Sequence, residues 1–299
     1  MRLIKPSFEI IEQQAGLEGM YKQIELAGRT CYKSEDKITE DSAKGFVERM
    51  IKSGHGAMLE HGTVYLLIPY EEAIDTIGDD WVHEQYSYNP YSVVAVYGNN
   101  YYITTNFRVL VENNWMDDLK YICEPTKYHE KRVTVRFICD RGVSHEYVRH
   151  RVFSFAQEST RYCNYSKDKF GNELTFIIPN WLDIPEGNYE IPAFWDKETC
   201  KLMSKYAGDE NTYASIQTFL SGIGLSEQQY LSLIEDGWKP QQARAILPNA
   251  LKTELVMTGF VSDWKHFFFL RTPMNAHPQA RELAIPLQEE FIERKYINN

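Results

Sequence analysis

Cysteine is scarce in this sequence and forms no recognisable motif. The 299 residues include five cysteines, an odd number, and no two of them have the Cys-x-x-Cys spacing. This pattern excludes a disulfide framework and a zinc knuckle, and it favours a reducing compartment. We therefore expect a cytoplasmic protein without a metal site.

Long apolar runs are also missing. No stretch approaches the roughly 18 apolar residues that a transmembrane helix needs. The first ten residues, MRLIKPSFEI, lack the uninterrupted apolar core of a signal peptide. We expect no association with a membrane.

An excess of positive charge is absent as well. Lysine and arginine total 32, against 42 aspartates and glutamates, which gives a net charge of −10. A general nucleic-acid binder would need a basic surface to meet the phosphate backbone. We expect no nucleic-acid partner.

The common phosphate- and metal-binding motifs do not occur. There is no P-loop, and the SGIGLS segment at residues 221–226 is too short for a dinucleotide-binding GxGxxG. The segment from His145 to His150, HEYVRH, is one residue longer than the zinc-protease HExxH. On a helix these two histidines would point about 140° apart, so they could not hold one ion.

The chain has no internal repeat, low-complexity tract or flexible linker, so we predict one domain over residues 1–299. Residue patterns predict a helix over 40–53, a hairpin near Gly98, and strands over 63–70, 132–140 and 175–179. Beyond residue 194 they predict mainly helices: 226–237, one from Pro240, one ending at Arg271, and one from Pro278 that is interrupted at Pro286. The fold class is mixed α/β of the α+β kind, with strands early and helices late.

Three serines precede or begin predicted helices. A serine hydroxyl at an N-cap accepts a hydrogen bond from the free amides of the first helical turn. We therefore predict that Ser144, Ser226 and Ser262 are N-caps.

Arginine is concentrated in one part of the chain. Six of the 14 arginines fall between residues 132 and 161, a tenth of the length. Crowded guanidinium groups repel one another unless an anion compensates them, and arginine binds phosphate in a bidentate manner. For Arg132, Arg136 and Arg141 we expect a solvated surface with salt bridges to carboxylates.

For the consecutive Arg149-His150-Arg151 we expect anion binding, since no single helical face could turn all three toward water. The sequence continues as RHRVFSFAQESTRY, in which Ser154, Ser159 and Thr160 alternate with glutamine and arginine. Hydroxyl and guanidinium groups together can hold a phosphate and hydrogen-bond a sugar or a base edge. These residues predict a nucleotide site.

Other reactive residues give weaker signals. Cys163 follows these arginines, but no motif supports a nucleophile, so we expect a buried core residue. Arg244 and Arg271 form a second basic pair in the helical half. An arginine at a helix end often serves only the helix dipole or the last carbonyls, so these residues alone leave their function open.

Four motifs, in order, resemble those of the flavin-dependent thymidylate synthase (ThyX) family. Arg149-His150-Arg151, then seven residues and Ser159, is similar to the family signature. The segment GHGAMLEHGT (54–63) resembles its upstream histidine motif, and ARAILP (243–248) resembles its AR-x-x-LP element. HFFFLR up to Arg271, with the following AHPQARELA, resembles its C-terminal stretch. The similarity covers about residues 40–70 and 130–290, which leaves 74–128 and 180–215 as extra, family-atypical length.

The resemblance implies a ThyX-like fold, with a central, largely antiparallel sheet and packed helices. It also implies conversion of dUMP to dTMP without a cysteine nucleophile. The one-carbon donor would be 5,10-methylenetetrahydrofolate, and FAD reduced by NADPH would supply the hydride. The family works as a homotetramer whose sites lie at subunit interfaces.

Site residues follow from the same resemblance. Arg271 is implied to be catalytic, because a fixed guanidinium facing the uracil would stabilise negative charge as N3 loses its proton. The implied cofactor contacts are His61, Thr63, Arg149, His150, Arg151, Gln157, His266 and His277. The implied substrate contacts are Glu146, Arg149, Gln157, Glu158, Ser159, Thr160, Arg161, Arg244 and Arg271.

The chain departs from the family at several of these positions. Ala156 and Gln157 stand where asparagine and glutamate are common, and residues 260–262 replace Asn-Ala-Arg. Two alternatives therefore stay open. One is a related flavoenzyme that modifies dUMP or dCMP with another outcome, which product identity would reveal. The other is an inactive nucleotide- or RNA-binding relative, which would bind RNA more tightly than dUMP with a steep salt dependence.

Overall fold

The structure is a computed structural model that describes residues 1–74, 80–167, 170–190, 197–206 and 208–298, without the side chains of 197–200 and 210. The two segments of extra length, 74–128 and 180–215, are described in part: residues 75–79 of the first, and 191–196 and 207 of the second, lie outside the described residues. The described strands form three sheets. The predicted α+β class, with a central antiparallel sheet, is confirmed.

The central sheet has four antiparallel strands in the order β2-β6-β10-β7. The strands are β2 Ser7–Ile11, β6 Arg132–Asp140, β7 Ser154–Gln157 and β10 Lys252–Phe260. Strands β6 and β10 pair along their whole length, with Asp140 opposite Lys252 and Arg132 opposite Phe260. This pairing joins the arginine-rich segment to the C-terminal half.

Strand β10 shows why the sheet has two different faces. Successive side chains of a strand point to opposite sides. Leu255 and Met257 are buried in one core, together with Trp264 and Phe291, while Val256 packs with Ala27 on the other side. Residue patterns missed this strand, because helices were expected throughout the C-terminal half. Its β-branched residues Thr253, Val256 and Thr258 were the available signal.

A second sheet, the N-terminal sheet, has the antiparallel order β3-β5-β4. Its strands are β3 Thr63–Pro69, β4 Val93–Tyr97 and β5 Asn100–Asn106. The predicted strand at 63–70 and the predicted hairpin near Gly98 are confirmed, and Gly98 has the positive φ of 59° that the turn requires. Part of the extra segment 74–128 therefore builds two strands of this sheet.

A third sheet has the order β8-β1-β9. Its strands are β1 Arg2–Ile4, β8 Thr175–Ile177 and β9 Gly187–Asn188. Leu3 and Phe176, paired in parallel, lie in a core that also contains Ile216 and Leu220 of a long helix. The strand predicted at 175–179 is confirmed.

The helices cover both faces of the central sheet. Helices α10 and α11 pack on the Leu255 face, and α1 packs on the Val256 face. The helices are α1 Gly16–Tyr32, α2 Ser42–Lys52, α3 Gly56–Leu59, α4 Tyr70–Ala73, α5 Phe107–Asn113, α6 Arg141–Tyr147, α7 Lys197–Lys205, α8 Glu210–Glu235, α9 Pro240–Ala243, α10 Val261–Arg271 and α11 Pro278–Glu293. The helix predicted at 40–53 matches α2, and Gly54 follows it with a φ of 70°. Short 3₁₀ turns lie at Glu35–Lys37, Met116–Tyr121 and Arg244–Ile246, and a π-helical turn lies at His83–Ser87.

The three predicted serine caps are wrong. Asp140 caps α6 and accepts from the Val143 amide at 2.7 Å, so Ser144 lies inside that helix. Ser226 lies within α8, which begins after Asp209, and its hydroxyl donates to the Ile246 carbonyl. Helix α10 begins after Phe260 rather than after Ser262.

Two helix boundaries also differ from the predictions. Helix α11 continues through Pro286, although proline removes one backbone hydrogen bond. The burial of Leu283 and Leu287 in the main core offsets that loss, because packing supplies most of the stability of a helix in a protein. The helix predicted from Pro240 is a single turn that becomes a 3₁₀ turn at Arg244.

Candidate functional site

Arg271 is held by two residues from the end of α6. It is the last residue of α10, and its Nη1 and Nη2 atoms donate to the Oε2 atom and the main-chain carbonyl of Glu146, both at 2.7 Å. Its Nε atom donates to Nε2 of His150 at 2.9 Å. Both side chains are mostly shielded from solvent: 14% of the Arg271 side chain and 26% of the Glu146 side chain are exposed. The guanidinium plane is therefore fixed on three sides.

His150 is buried and neutral in this arrangement. Burial, followed by electrostatic interaction with Arg271 and His266, lowers its pKa to about 4. Because Nε2 accepts from Arg271, the ring proton belongs on Nδ1. The ring of Phe267 lies 5.0 Å from the His150 ring and helps to exclude water.

Four of the predicted arginines have exposed guanidinium groups, and none of them forms an ion pair within the described residues. Arg149 and Arg151 extend from the loop between α6 and β7 without any side-chain hydrogen bond in that part of the chain. Arg161 lies over the Tyr162 ring at 5.3 Å, and Arg244 donates to Thr160 Oγ1 at 3.2 Å. In a protein with a net charge of −10, arginines without carboxylate partners indicate an anionic ligand.

The segment from Gln157 to Arg161 continues β7 past its last paired residue. Gln157 donates to Ser144 Oγ and Thr253 Oγ1, at 2.9 and 3.2 Å. Glu158 is buried, and its carboxylate binds Lys252 Nζ at 2.8 Å and the Tyr165 hydroxyl at 3.0 Å. The carboxylate oxygens of Glu158 thus have internal partners, whereas the Arg161 guanidinium remains exposed.

Ser159 and Thr160 stand at the turn between these residues. The Ser159 amide donates to the Cys31 carbonyl, which fixes the turn against α1. The Ser159 hydroxyl accepts from the Arg161 amide at 3.3 Å. Thr160 and Arg244, 84 residues apart, meet here, so the structure brings the second basic element beside the first.

His61 lies beneath the central sheet and has one unsatisfied ring atom. It is fully buried and shares a hydrogen bond between Nδ1 and Thr258 Oγ1, at 2.8 Å. Its Nε2 atom has no hydrogen-bond partner among the described residues. Burial and the nearby positive charge of Arg132 lower the pKa of His61 to about 3, so the ring is neutral. A buried polar atom without a partner is unusual and indicates a ligand contact or a bound water.

Arg132 contradicts the expected exposed salt bridge. Its side chain is buried, with 8% of the residue exposed. It donates to the Glu60 carbonyl at 3.1 Å, to Thr63 Oγ1 at 3.3 Å and to Ser154 Oγ at 3.4 Å. The period of two in β6 explains the placement, since Arg132 lies on the same strand face as Thr134, whose hydroxyl bonds Thr258. Burial lowers the Arg132 pKa to about 10, which leaves the group charged at neutral pH.

The other two arginines of that group differ from each other. Arg136 pairs with Glu9 at 2.6 Å, which confirms the expected salt bridge. Arg141 forms no ion pair within the described ranges, and its Nη1 atom is buried without a hydrogen-bond partner there. The surface prediction is therefore wrong for Arg141.

A cleft of about 560 Å³ separates the N-terminal sheet from the central sheet. One wall comes from residues of the extra segment, including Tyr91 and Arg108, and the other includes Arg132, Arg151 and Phe260. Its volume lies within the range of small-molecule sites, about 300–1,000 Å³. Residue patterns gave no indication of Arg108, and they placed Arg132 on the surface. Only the pairing of the strands shows that both line one cleft.

The two remaining predicted cofactor contacts, His266 and His277, are exposed. The His266 ring lies 6.4 Å from the ring of His150, and the His277 ring lies 6.1 Å from that of Trp181. Cys163 is buried in a hydrophobic core, as predicted. In the part of the chain that the structure describes, no cluster of three metal-ligating side chains occurs, and no helix is long and apolar enough to cross a membrane.

The fold and the site define an α+β protein with exposed arginines that form no ion pair within the described residues and suit an anionic ligand. The family model of the thymidylate synthase complementing proteins (Thy1) matches residues 129–294, more than half of the chain. The chain therefore belongs to this family.

Curated relatives are named flavin-dependent thymidylate synthases. A flavin-dependent thymidylate synthase of Pyrococcus furiosus is 30% identical over 156 residues, which span 52% of this chain and about half, 52%, of that relative. One from Mycobacterium sp. (strain JLS) is 24% identical over 92% of this chain and 77% of the relative. A crystal structure of the UMP/dUMP methylase PolB from Streptomyces cacaoi, bound with 5-Br dUMP, aligns with 98% of this chain and 93% of that chain. The sequence identity is 15%, and the TM-score of 0.44 is too low to support a conclusion.

Proposed function

We propose that this protein is a flavin-dependent thymidylate synthase, which methylates dUMP reductively to dTMP. The observation that carries the proposal is a fixed Arg271 together with four exposed arginines that form no ion pair within the described residues, in a chain with a net charge of −10. Family membership and the names of the relatives support the same reaction.

The phosphate and sugar of dUMP would be held where β7 ends. Arg161 and Arg244 project from two separate segments that meet at Thr160, and the hydroxyls of Ser159 and Thr160 lie between them. Arginine and hydroxyl donors together match the several oxygen acceptors of a phosphate. Arg149 would add positive charge from the preceding loop.

Arg271 would act on the uracil ring by electrostatics. The Glu146 carboxylate and carbonyl, with His150, hold its guanidinium in one plane before substrate arrives. A fixed positive charge beside the ring stabilises the anion that forms when N3 loses its proton, which makes C5 more nucleophilic. Glu146 and His150 are positioning residues in this scheme. The charge that Glu146 contributes also lowers the net attraction of the site for an anion.

The site residues fit a flavin. His61 Nε2 is a buried ring atom with no hydrogen-bond partner in the part of the chain that the structure describes, and Arg149 and Arg151 present exposed donors. Thr63 and Arg132 are in contact beside His61, and Arg132 lines the adjacent cleft. His61, Thr63, Arg149, His150 and Arg151 would hold FAD, with Gln157, His266 and His277 as further contacts. Reduced FAD, when bound, would supply the hydride, with NADPH as its reductant and 5,10-methylenetetrahydrofolate as the one-carbon donor.

We also propose a homotetramer in the cytoplasm. The exposed arginines at 149, 151, 161 and 244 point outward from one chain, which suits a site completed by a neighbouring subunit. Sedimentation of the purified protein with and without dUMP would measure the oligomeric state. A monomer under both conditions would contradict this proposal without affecting the reaction.

Tritium release tests the reaction directly. Forming the new bond at C5 of the uracil releases the hydrogen from that carbon to water, so 5-tritiated dUMP reports each turnover. We expect release and dTMP formation that require FAD, NADPH and methylenetetrahydrofolate, each omitted in turn. A folded, flavin-loaded protein that releases no tritium would contradict the proposal. Another product from dUMP or dCMP would indicate a related flavoenzyme instead.

A further inference from the structure

Two buried glutamates lie beside the turn that carries the proposed phosphate-binding residues. Glu158 and Glu254 are 2% and 7% exposed, and the Glu158 amide donates to the Glu254 carbonyl at 2.8 Å, so their two segments run side by side. A buried carboxylate is costly unless a cation or several hydrogen-bond donors compensate it. The way in which this negative charge is neutralised therefore decides what charge a bound phosphate meets at the end of β7.

Two lysines join these glutamates in an ion-pair chain of four residues, Lys33, Glu254, Lys252 and Glu158. Lys252 Nζ binds both carboxylates, that of Glu158 at 2.8 Å and that of Glu254 at 2.7 Å. Lys33 follows the last residue of α1 and binds Glu254 at 2.8 Å. Burial would raise the pKa of Glu254, but the two lysines lower it to about 2, so this carboxylate is ionised. Two ammonium groups thus balance two carboxylates.

We propose that this ion-pair chain supports the binding of the dUMP phosphate, with Lys33 and Lys252 as positioning residues that do not touch dUMP themselves. The role rests on the proposed function, because it takes dUMP as the ligand held at the end of β7. The chain links that segment to β10 and to the end of α1, neither of which supplies a phosphate contact of its own in the proposed site.

Arg161 shows why Glu158 must be neutralised. These two residues are three positions apart, and the exposed Arg161 guanidinium forms no ion pair within the described residues. An uncompensated Glu158 carboxylate would compete with the phosphate for this guanidinium and would repel the phosphate itself. Lys252 prevents both effects, but it is shared with Glu254. Lys33 supplies Glu254 with a second cation, so that Lys252 remains on Glu158.

Glu35 makes the charge argument testable in two directions. It lies in the 3₁₀ turn after α1, binds Lys33 at 3.0 Å and has 27% of its side chain exposed. It therefore competes with Glu254 for the same ammonium group and adds negative charge near the phosphate site. Removal of the Lys33 charge and removal of the Glu35 charge should change phosphate affinity with opposite signs, which simple damage to the fold would not do.

Four variants test this role. Lys33→Met removes the cation and keeps an aliphatic side chain, whereas Lys33→Arg keeps the charge. Glu35→Gln removes the competing carboxylate at nearly constant size. Lys22→Met is the matched control, because Lys22 belongs to the same helix and pairs only at the surface with Glu18, at 2.6 Å. Urea unfolding checks that each variant is folded, and calorimetry gives the Kd for dUMP and for deoxyuridine, which lacks the phosphate.

We expect Lys33→Met to weaken dUMP binding by about tenfold and deoxyuridine binding by less than about twofold, since only dUMP carries the phosphate. Glu35→Gln should tighten dUMP binding by about twofold, and Lys33→Arg and Lys22→Met should stay within about twofold of the wild type. Equal weakening of both ligands by Lys33→Met, or an unchanged Kd for dUMP, would overturn the inference.

Glu35→Gln carries the test if Lys33→Met does not fold, because weaker or unchanged dUMP binding in that variant would also overturn the inference. A wild-type protein that does not bind dUMP would overturn it as well. Formation of dTMP by the wild type, measured separately by tritium release, decides the proposed function. Phosphate-dependent binding that responds to these variants, without dTMP formation, would contradict the reaction and leave the role of the ion-pair chain supported.

Discussion

Arg271 and Glu146 lie 125 residues apart in the sequence and share two hydrogen bonds of 2.7 Å, one to the carboxylate and one to the main-chain carbonyl. This double contact ties the end of α10 to the last turn of α6. It fixes the plane of the guanidinium in a way that a single ion pair would not.

Replacing Arg271 should remove most of the activity while the protein remains folded. We expect Arg271→Ala to weaken dUMP binding and to lower turnover by ~100-fold or more, as for other single groups aimed at developing charge. Arg271→Lys should also be poor, because one ammonium cannot reproduce the planar fork. Tritium release from 5-tritiated dUMP measures both. The control is Arg294→Ala, because Arg294 pairs with Glu290 and is not one of the proposed site residues. Near-normal turnover of Arg271→Ala would remove this residue from the mechanism.

Replacing Glu146 should change substrate affinity more than stability. Glu146→Gln keeps the size of the side chain and the carbonyl contact, but it removes the negative charge beside Arg271. We expect the KM for the anionic dUMP to fall severalfold, with a change in unfolding free energy of about 1 kcal/mol or less for this partly exposed pair. Glu290→Gln is the control at a surface ion pair. An unchanged or raised KM would show that the negative charge of Glu146 does not oppose binding of the substrate.

The two arginines at the end of β7 should recognise the phosphate. Arg161 and Arg244 have no carboxylate partner within the described residues, so removing either should alter stability by less than about 0.5 kcal/mol. We expect Arg161→Ala and Arg244→Ala to weaken dUMP binding by about tenfold, since a charge-assisted hydrogen bond is lost. Calorimetry with dUMP and with deoxyuridine distinguishes the contacts. Equal weakening of both ligands would place these arginines away from the phosphate.

Two buried histidines should make the stability depend on pH. In the folded protein, burial and the nearby charge of Arg132 hold the pKa of His61 at about 3. Burial and the nearby charge of Arg271 hold the pKa of His150 at about 4. The unfolded chain takes up these protons near pH 6.5, so the unfolded state binds more protons between about pH 6.5 and 4. The contribution is therefore complete above about pH 6.5 and is lost as the pH falls toward the folded values.

Urea unfolding at several pH values measures this effect. We expect a loss on the order of 3 kcal/mol for each histidine by pH 4. His150→Gln should reduce the slope, because glutamine does not titrate and still accepts from Arg271. His55→Gln, at an exposed histidine, serves as the control. A slope that His150→Gln leaves unchanged would contradict a neutral, buried His150.

The amino-acid sequence by itself indicated many of the candidate site residues. Short-range patterns located β3, β6, β8 and α2, because alternation and helical spacing depend only on neighbouring side chains. The arginine-rich signature, with the motifs around His61, Arg244 and Arg271, indicated the family that the comparison then showed. The clustering of arginines along the chain also indicated an anionic ligand.

Tertiary structure decided which of these residues meet. The pairing of β6 with β10 buries Arg132 and places Thr258 against His61, and no local pattern encodes that contact. Helices α6 and α8 begin at Asp140 and Asp209, whose carboxylates accept from the Val143 and Thr212 amides, and α10 begins after Phe260, so the three plausible serine caps are not used. Arg271 meets Glu146 because α10 and α6 pack on the same face of the central sheet. Burial of the core that these helices share brings together side chains that are far apart in sequence.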